Sequence, residues 1–90
     1  GTISDVKTMI DLAHEKGAIT VVDAVHYAPH KPIDVKELGV DILVCSPYKF
    51  FGPHMGVIYM NEKLGETFKS VRVYAEDNPT MRQPLCRLLR

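Results

Sequence analysis

The sequence predicts an α/β fold: a segment of a mostly parallel sheet with flanking helices. Stretches of helical period alternate with β-branched apolar runs along the first seventy residues. Two of those runs, residues 18–22 and 42–45, are apolar almost throughout, as in strands covered on both faces. Polar groups gather just beyond them, Asp23 after the first and Ser46 and Lys49 after the second. In open parallel sheets that end of the strands is where ligands bind.

In chain order, Ser4 is the expected N-cap of a first helix. Val6, Met9, Ile10 and Ala13 form its apolar stripe, and Gly17 ends it. Asp5 near its start and Lys16 near its end suit the helix dipole. Residues 18–22 form a strand that stops at Asp23. Residues 24–33 hold two prolines and two histidines and read as a loop. Asp34 and Glu37 open one or two helical turns closed by Gly39. The strand 42–45 follows, then a loop carrying Lys49, then a third strand over 56–60. Asn61 caps a short helix ending near Lys69. Residues 71–74 read as a further strand, whereas 75–90 show no period and contain Pro79 and Pro84. One long helix and two short ones cannot cover both faces of three buried strands. Together with a start at Gly1, this leads to the expectation of a segment of a larger domain.

The chain has 90 residues, 46% hydrophobic and 24% charged, ordinary values for a soluble globular protein. Eleven basic and eleven acidic side chains cancel, so no electrostatic footprint points to nucleic acid or an anionic membrane as partner. No apolar run approaches the ~18 residues of a membrane span. Two cysteines, Cys45 and Cys86, make a poor disulfide framework, and Cys45 reads as a reduced core residue. A cytoplasmic protein is expected.

Lys49 stands between Tyr48 and Phe50, with Phe51, Gly52 and Pro53 following. A lysine desolvated among aromatics has its charged form disfavoured, which frees the amine to attack carbonyls. A carboxylate such as Asp23 can keep a pyridine nitrogen protonated. Lysine and carboxylate together are what pyridoxal-phosphate chemistry asks of a protein. The Ser46 hydroxyl suits a phosphate oxygen, and Gly52 would let backbone approach a ligand or a partner subunit. His26, His30 and His54 with Cys45 could be pictured as a zinc site, but they share no helical face and no C-x-x-C or H-E-x-x-H is present. No G-x-G-x-x-G follows a strand, against a nicotinamide-binding unit.

The stretches Val21-Val22-Asp23-Ala24-Val25-His26, Pro32-Ile33-Asp34-Val35 and Cys45-Ser46-Pro47-Tyr48-Lys49-Phe50-Phe51-Gly52-Pro53 resemble the class V aminotransferase family, in its cysteine desulfurase-like branch. The likeness runs from Gly1 to about Tyr59. It implies the large domain of fold type I pyridoxal-phosphate enzymes, with residues 1–70 a partial cofactor-binding domain. Residues 71–90 form a tail that aligns with nothing and is expected to be non-native or disordered. The resemblance implies Lys49 as the catalytic lysine that forms the internal aldimine with pyridoxal 5'-phosphate. It further implies Asp23 at the pyridine nitrogen, His26 at the phenolic oxygen and Ser46 at the phosphate. Relatives often carry histidine where this chain has Tyr48, a departure that points away from the typical desulfurases. An amino acid substrate and a homodimeric parent enzyme are likewise implied. The family's catalytic cysteine and substrate-binding arginine lie downstream of the aligned part, and neither Cys86 nor Arg82, Arg87 and Arg90 can be matched to them. The ninety residues alone are expected to be inactive.

Overall fold

The first helix begins one residue later than Ser4 suggests. In the computed structural model, which describes residues 2–68, α1 spans Val6–Glu15 and its N-cap is Asp5. The Asp5 carboxylate accepts from the Thr8 backbone N–H at 3.2 Å and from the Thr8 hydroxyl at 2.8 Å. Ser4 instead turns the chain inward, its carbonyl accepting from the Val6 N–H at 2.9 Å. The hydrogen bonds from Thr8, the hydroxyl's first, hold the Asp5 carboxyl below its ordinary range. Of the predicted stripe, Ile10 is fully buried, whereas Met9 lies mostly exposed.

The end of α1 explains where the first strand begins. Gly17 adopts φ +73°. Its N–H reaches the His14 carbonyl at 2.9 Å and the Ala18 N–H reaches the Ala13 carbonyl at 3.0 Å. That is a Schellman closure, and it occupies Ala18. The Thr20 N–H is also committed, to an Asp41 carboxylate oxygen at 2.8 Å. Strand β1 is therefore Val21–Asp23, shorter and later than the expected 18–22.

The remaining elements are α2 Val35–Leu38, β2 Ile42–Cys45, a 3-10 turn over Pro47–Phe50, β3 Val57–Met60 and α3 Glu62–Thr67. Asp34 caps α2 by accepting from Lys36 and Glu37, and Gly39 closes it, as the D-x-x-E spacing predicts. Asn61 caps α3, its side-chain oxygen accepting from Leu64 at 2.8 Å. α3 ends at Thr67 with Phe68 as its C-cap, two residues before the expected end near Lys69; the further strand expected over 71–74 and the tail 75–90 lie outside the described residues.

The three strands form one sheet in the order β1-β2-β3. β1 and β2 are parallel, with Val21 opposite Ile42, Val22 opposite Leu43 and Asp23 opposite Val44. β3 is antiparallel to β2, with Ile42 opposite Met60 and Cys45 opposite Val57. Residues 46–56 return the chain beside β2 without a crossover helix, which an antiparallel neighbour permits and a parallel one does not. The α/β class holds, and among the described residues one of the two strand pairings is parallel.

The core lies on one face of this sheet. Ile10 of α1, Ala24, Val40 and Leu43 are buried, and Val22, Leu38 and Tyr59 pack against them. Full burial of a side chain such as Ile10 or Val40 contributes roughly 2 kcal/mol. Strand alternation sends Val21, Ile42, Val44, Ile58 and Met60 to the other face, where Val21 is 64% and Ile58 49% exposed. No helix among the described residues is long and apolar enough to cross a membrane.

Asp41 joins the elements at the end of the sheet where β1 and β2 begin. One carboxylate oxygen meets His14 Nε2 at 2.8 Å and accepts from the Thr20 N–H at 2.8 Å and the Thr20 hydroxyl at 2.9 Å. The other accepts from the Asn61 side-chain amide at 2.6 Å. The Asp41 carbonyl accepts from the Asn61 N–H at 2.8 Å. One side chain thus ties α1, the entry to β1, the entry to β2 and the cap of α3.

Candidate active site

The parallel register brings the candidate residues to one end of the sheet. Asp23 is the last residue of β1 and lies opposite Val44. Ser46 follows Val44 by two positions, directly after β2. The Ala24 N–H continues the pairing, donating to the Val44 carbonyl at 2.8 Å. Asp23 and the turn bearing Lys49 therefore leave adjacent strands on the same side, although 26 positions separate them in sequence.

Asp23 is exposed, and one of its carboxylate oxygens accepts from the Val25 N–H at 2.9 Å. This Asx turn starts the bend that carries His26. Asp23 and His26 both line a cavity of about 610 Å³, between the chain before α1, the end of β1 and the start of α2. Ser46 and Lys49 are not among its lining residues. They follow the exit of the neighbouring strand, β2.

Lys49 sits on the 3-10 turn Pro47–Phe50, an element the sequence reading treated as plain loop. Pro47 occupies the start of the turn, where its fixed φ is favourable, and the Lys49 N–H donates to the Ser46 carbonyl at 3.0 Å. The Ser46 side chain makes no capping bond to this turn, so its hydroxyl is not committed there. The expected desolvation of Lys49 is not found among the described residues. Lys49 is exposed, and its aromatic neighbours are too, Phe51 completely. The aromatics follow the turn around its outside instead of closing over the amine. The ion pairs among the described residues are Lys7–Asp11 and His14–Asp41, leaving Lys49 outside both.

Gly52 is required within the turn itself. A Cβ there would fall 2.5 Å from the Pro47 Cβ and 2.9 Å from the Pro47 carbonyl oxygen. The close approach is to the chain's own turn, and the Gly52 N–H donates to that carbonyl at 2.8 Å. Phe51 before it takes φ +65°. The sequence brings up His54 only as a pictured zinc ligand and gives no sign of its ring contact with Tyr48, at 4.9 Å with a 53° tilt. Six positions of separation across a glycine-proline step give no periodic cue to that contact. Among the described residues no group of three or more His, Cys, Asp or Glu could hold a metal ion. Cys86 and the arginines at 82, 87 and 90 lie outside the described residues.

With this geometry in place, the comparisons with known proteins fall in one class. The Aminotransferase class-V family model matches residues 1–83, and the chain belongs to that family. A cysteine desulfurase-like protein of Aspergillus flavus is 42% identical over 69 residues, 76% of this chain and 16% of that protein. An aminotransferase-like protein of Gibberella zeae is 52% identical over 60 residues, 66% of this chain and 15% of its own length. Among solved structures, the apo cysteine desulfurase of Thermococcus onnurineus superposes with a TM-score of 0.70 at 39% identity, covering 77% of this chain and 18% of that one. The cysteine desulfurase CsdA of Escherichia coli gives a TM-score of 0.67 at 35% identity, covering 71% and 16%. The chain thus spans about one-sixth of the length of the relatives it matches. The family match continues past Tyr59, where the likeness read from motifs ends.

Proposed function

We propose that this chain is the lysine-bearing segment of a pyridoxal-phosphate enzyme acting on an amino acid, with residues 1–70 part of its cofactor-binding domain. The observation that carries the reading is the parallel register of Asp23 with Val44, which sets Asp23, Ser46 and Lys49 at one end of two adjacent strands. The donor set suits the cofactor group by group. Asp23 offers a carboxylate for the pyridine nitrogen, His26 an imidazole for the phenolic oxygen, Ser46 an uncommitted hydroxyl for the phosphate, and Lys49 an exposed amine.

When bound, the cofactor supplies an electron sink for the bond broken at the substrate's α-carbon. The chain's own residues do the rest. Lys49 would hold the cofactor through its amine and, once free, would move a proton at the substrate's α-carbon or the cofactor's C4′. Asp23 keeps a proton on the ring nitrogen, so that the ring stays electron-poor. Ser46 donates to a phosphate oxygen and anchors the end remote from the chemistry. Likeness to cysteine desulfurases and to aminotransferase-like proteins supports an amino acid as substrate; a homodimer is the proposed state of the full protein.

The test is the visible absorption band that a lysine-bound cofactor gives. The full-length protein with pyridoxal phosphate is expected to show it, and Lys49→Ala to abolish it. A band that survives in Lys49→Ala removes Lys49 from this role. A second reading, that the ninety residues alone have no activity, is favoured by the uncovered sheet face bearing Val21 and Ile58. Adding pyridoxal phosphate to the isolated chain tests it, with no band as the expected result.

A further inference from the structure

The turn that carries Lys49 is closed by contacts among its own neighbours. Gly52 folds back so that its N–H donates to the Pro47 carbonyl at 2.8 Å, and Phe51 at φ +65° makes the reversal. That reversal returns the following residues across the turn and sets the His54 ring against the ring of Tyr48, 4.9 Å between centroids. The separation is within the range of aromatic pairs, and the 53° tilt lies between a stacked and an edge-to-face arrangement.

Tyr48 immediately precedes Lys49, and the turn has only four residues. A rotation of the backbone at Tyr48 therefore redirects the Cα–Cβ bond of Lys49. The backbone bonds of Gly52 fix the closure of the turn but not the setting of its outer side chains. The contact with His54 restrains Tyr48, and through Tyr48 the direction in which the lysine leaves the turn.

We propose that His54 is a positioning residue for Lys49, acting through its ring contact with Tyr48. The proposal rests on the reading of Lys49 as the cofactor-holding lysine. What is required of residue 54 is a flat ring, so phenylalanine should serve and a non-aromatic side chain should not.

The experiment follows formation of the visible band on adding pyridoxal phosphate to the full-length protein, together with the visible circular dichroism of the product. Loss of one aromatic contact is expected to slow band formation about 5-fold in His54→Ala, with weaker visible ellipticity and an unchanged far-UV spectrum. His54→Phe is expected to restore both signals. Tyr48→Ala should match His54→Ala, and the double variant should be no slower than either. His54→Gln removes the ring but keeps a polar side chain, and gives the same comparison if the alanine variant fails to fold. Wild-type rate and ellipticity in the ringless variants, or no rescue by phenylalanine, overturns the role of His54 while leaving Lys49 in place. A wild-type protein that gives no Lys49-dependent band overturns the cofactor reading and this proposal with it.

Discussion

Asp41 and Asp23 are both carboxylates at strand ends, and their surroundings give them opposite tasks. Asp41 has its side chain 17% exposed and is hydrogen-bonded to three places besides its own strand: α1, the entry to β1 and the cap of α3. Its partial burial alone would raise its pKa; the bonds from His14 and Thr20 outweigh that and leave the carboxyl below its ordinary value. A folded pKa lower than the unfolded one contributes stability that is present above about pH 4 and lost as pH falls through the folded value. Asp41→Ala is expected to lower stability by about 2 to 3 kcal/mol, because it strands the buried Thr20 N–H and the Asn61 amide. Denaturant titration at pH 7 and pH 3 measures this, and the gap between wild type and variant should narrow in acid. Asp23 has one local bond, to the Val25 N–H, and is otherwise exposed to the site. Asp23→Asn retains that acceptor and removes only the charge. It should therefore keep wild-type thermal stability and cofactor content while turnover of the full-length enzyme falls at least 10-fold, as about 1.4 kcal/mol of lost stabilisation implies. Unchanged turnover would remove Asp23 from the ring nitrogen. Neither distinction is visible in sequence, where both residues are an aspartate beside a run of valines and isoleucines. The partners of Asp41 are distant in the chain at His14, Thr20 and Asn61, and no spacing rule reaches that far.

Elements whose stabilising contacts are local are the ones a sequence discloses. Helix α2 is legible from Asp34, Glu37 and Gly39 because its cap, its first turn and its stop lie within six residues. Asn61 before α3 is legible for the same reason. The start of β1 is not, because Ala18 is drawn back to the end of α1 and the Thr20 N–H is drawn across to Asp41. The 3-10 turn over Pro47–Phe50 is hidden differently: its closing position is left-handed, and the residue there is Phe51 and not glycine. A non-glycine residue in that conformation costs about 1 kcal/mol, and the fully exposed Phe51 ring recovers none of it by burial. Phe51→Gly is accordingly expected to raise the thermal midpoint without altering cofactor binding. A lowered midpoint would mean that Phe51 is covered in the full-length protein, and would place a contact on the outside of the Lys49 turn.

At the scale of the molecule, the decisive feature is a sheet with one finished face. Ile10 and Leu38 bring α1 and α2 onto the face that holds Val22, Leu43 and Tyr59, and the one other α-helix among the described residues, α3, has six residues. The opposite face carries Val21, Ile42, Val44, Ile58 and Met60, apolar side chains in register across the three strands, with Asp23 at its edge opposite Val44. A sheet whose strands are apolar on both sides is built to be covered on both sides. A contiguous apolar surface of this kind promotes association. The isolated ninety-residue chain is therefore expected to self-associate, with an apparent mass in sedimentation equilibrium that rises with concentration. Val21→Lys combined with Ile58→Lys puts two charges on the most exposed positions of that face and should return the isolated chain to a monomer. In the full-length protein the same pair of substitutions should instead depress solubility and cofactor uptake, because lysines would then be buried without partners. If the full-length protein tolerates both lysines with unchanged stability, the face is solvated there as well, and the expectation of a larger covered domain around these strands is wrong.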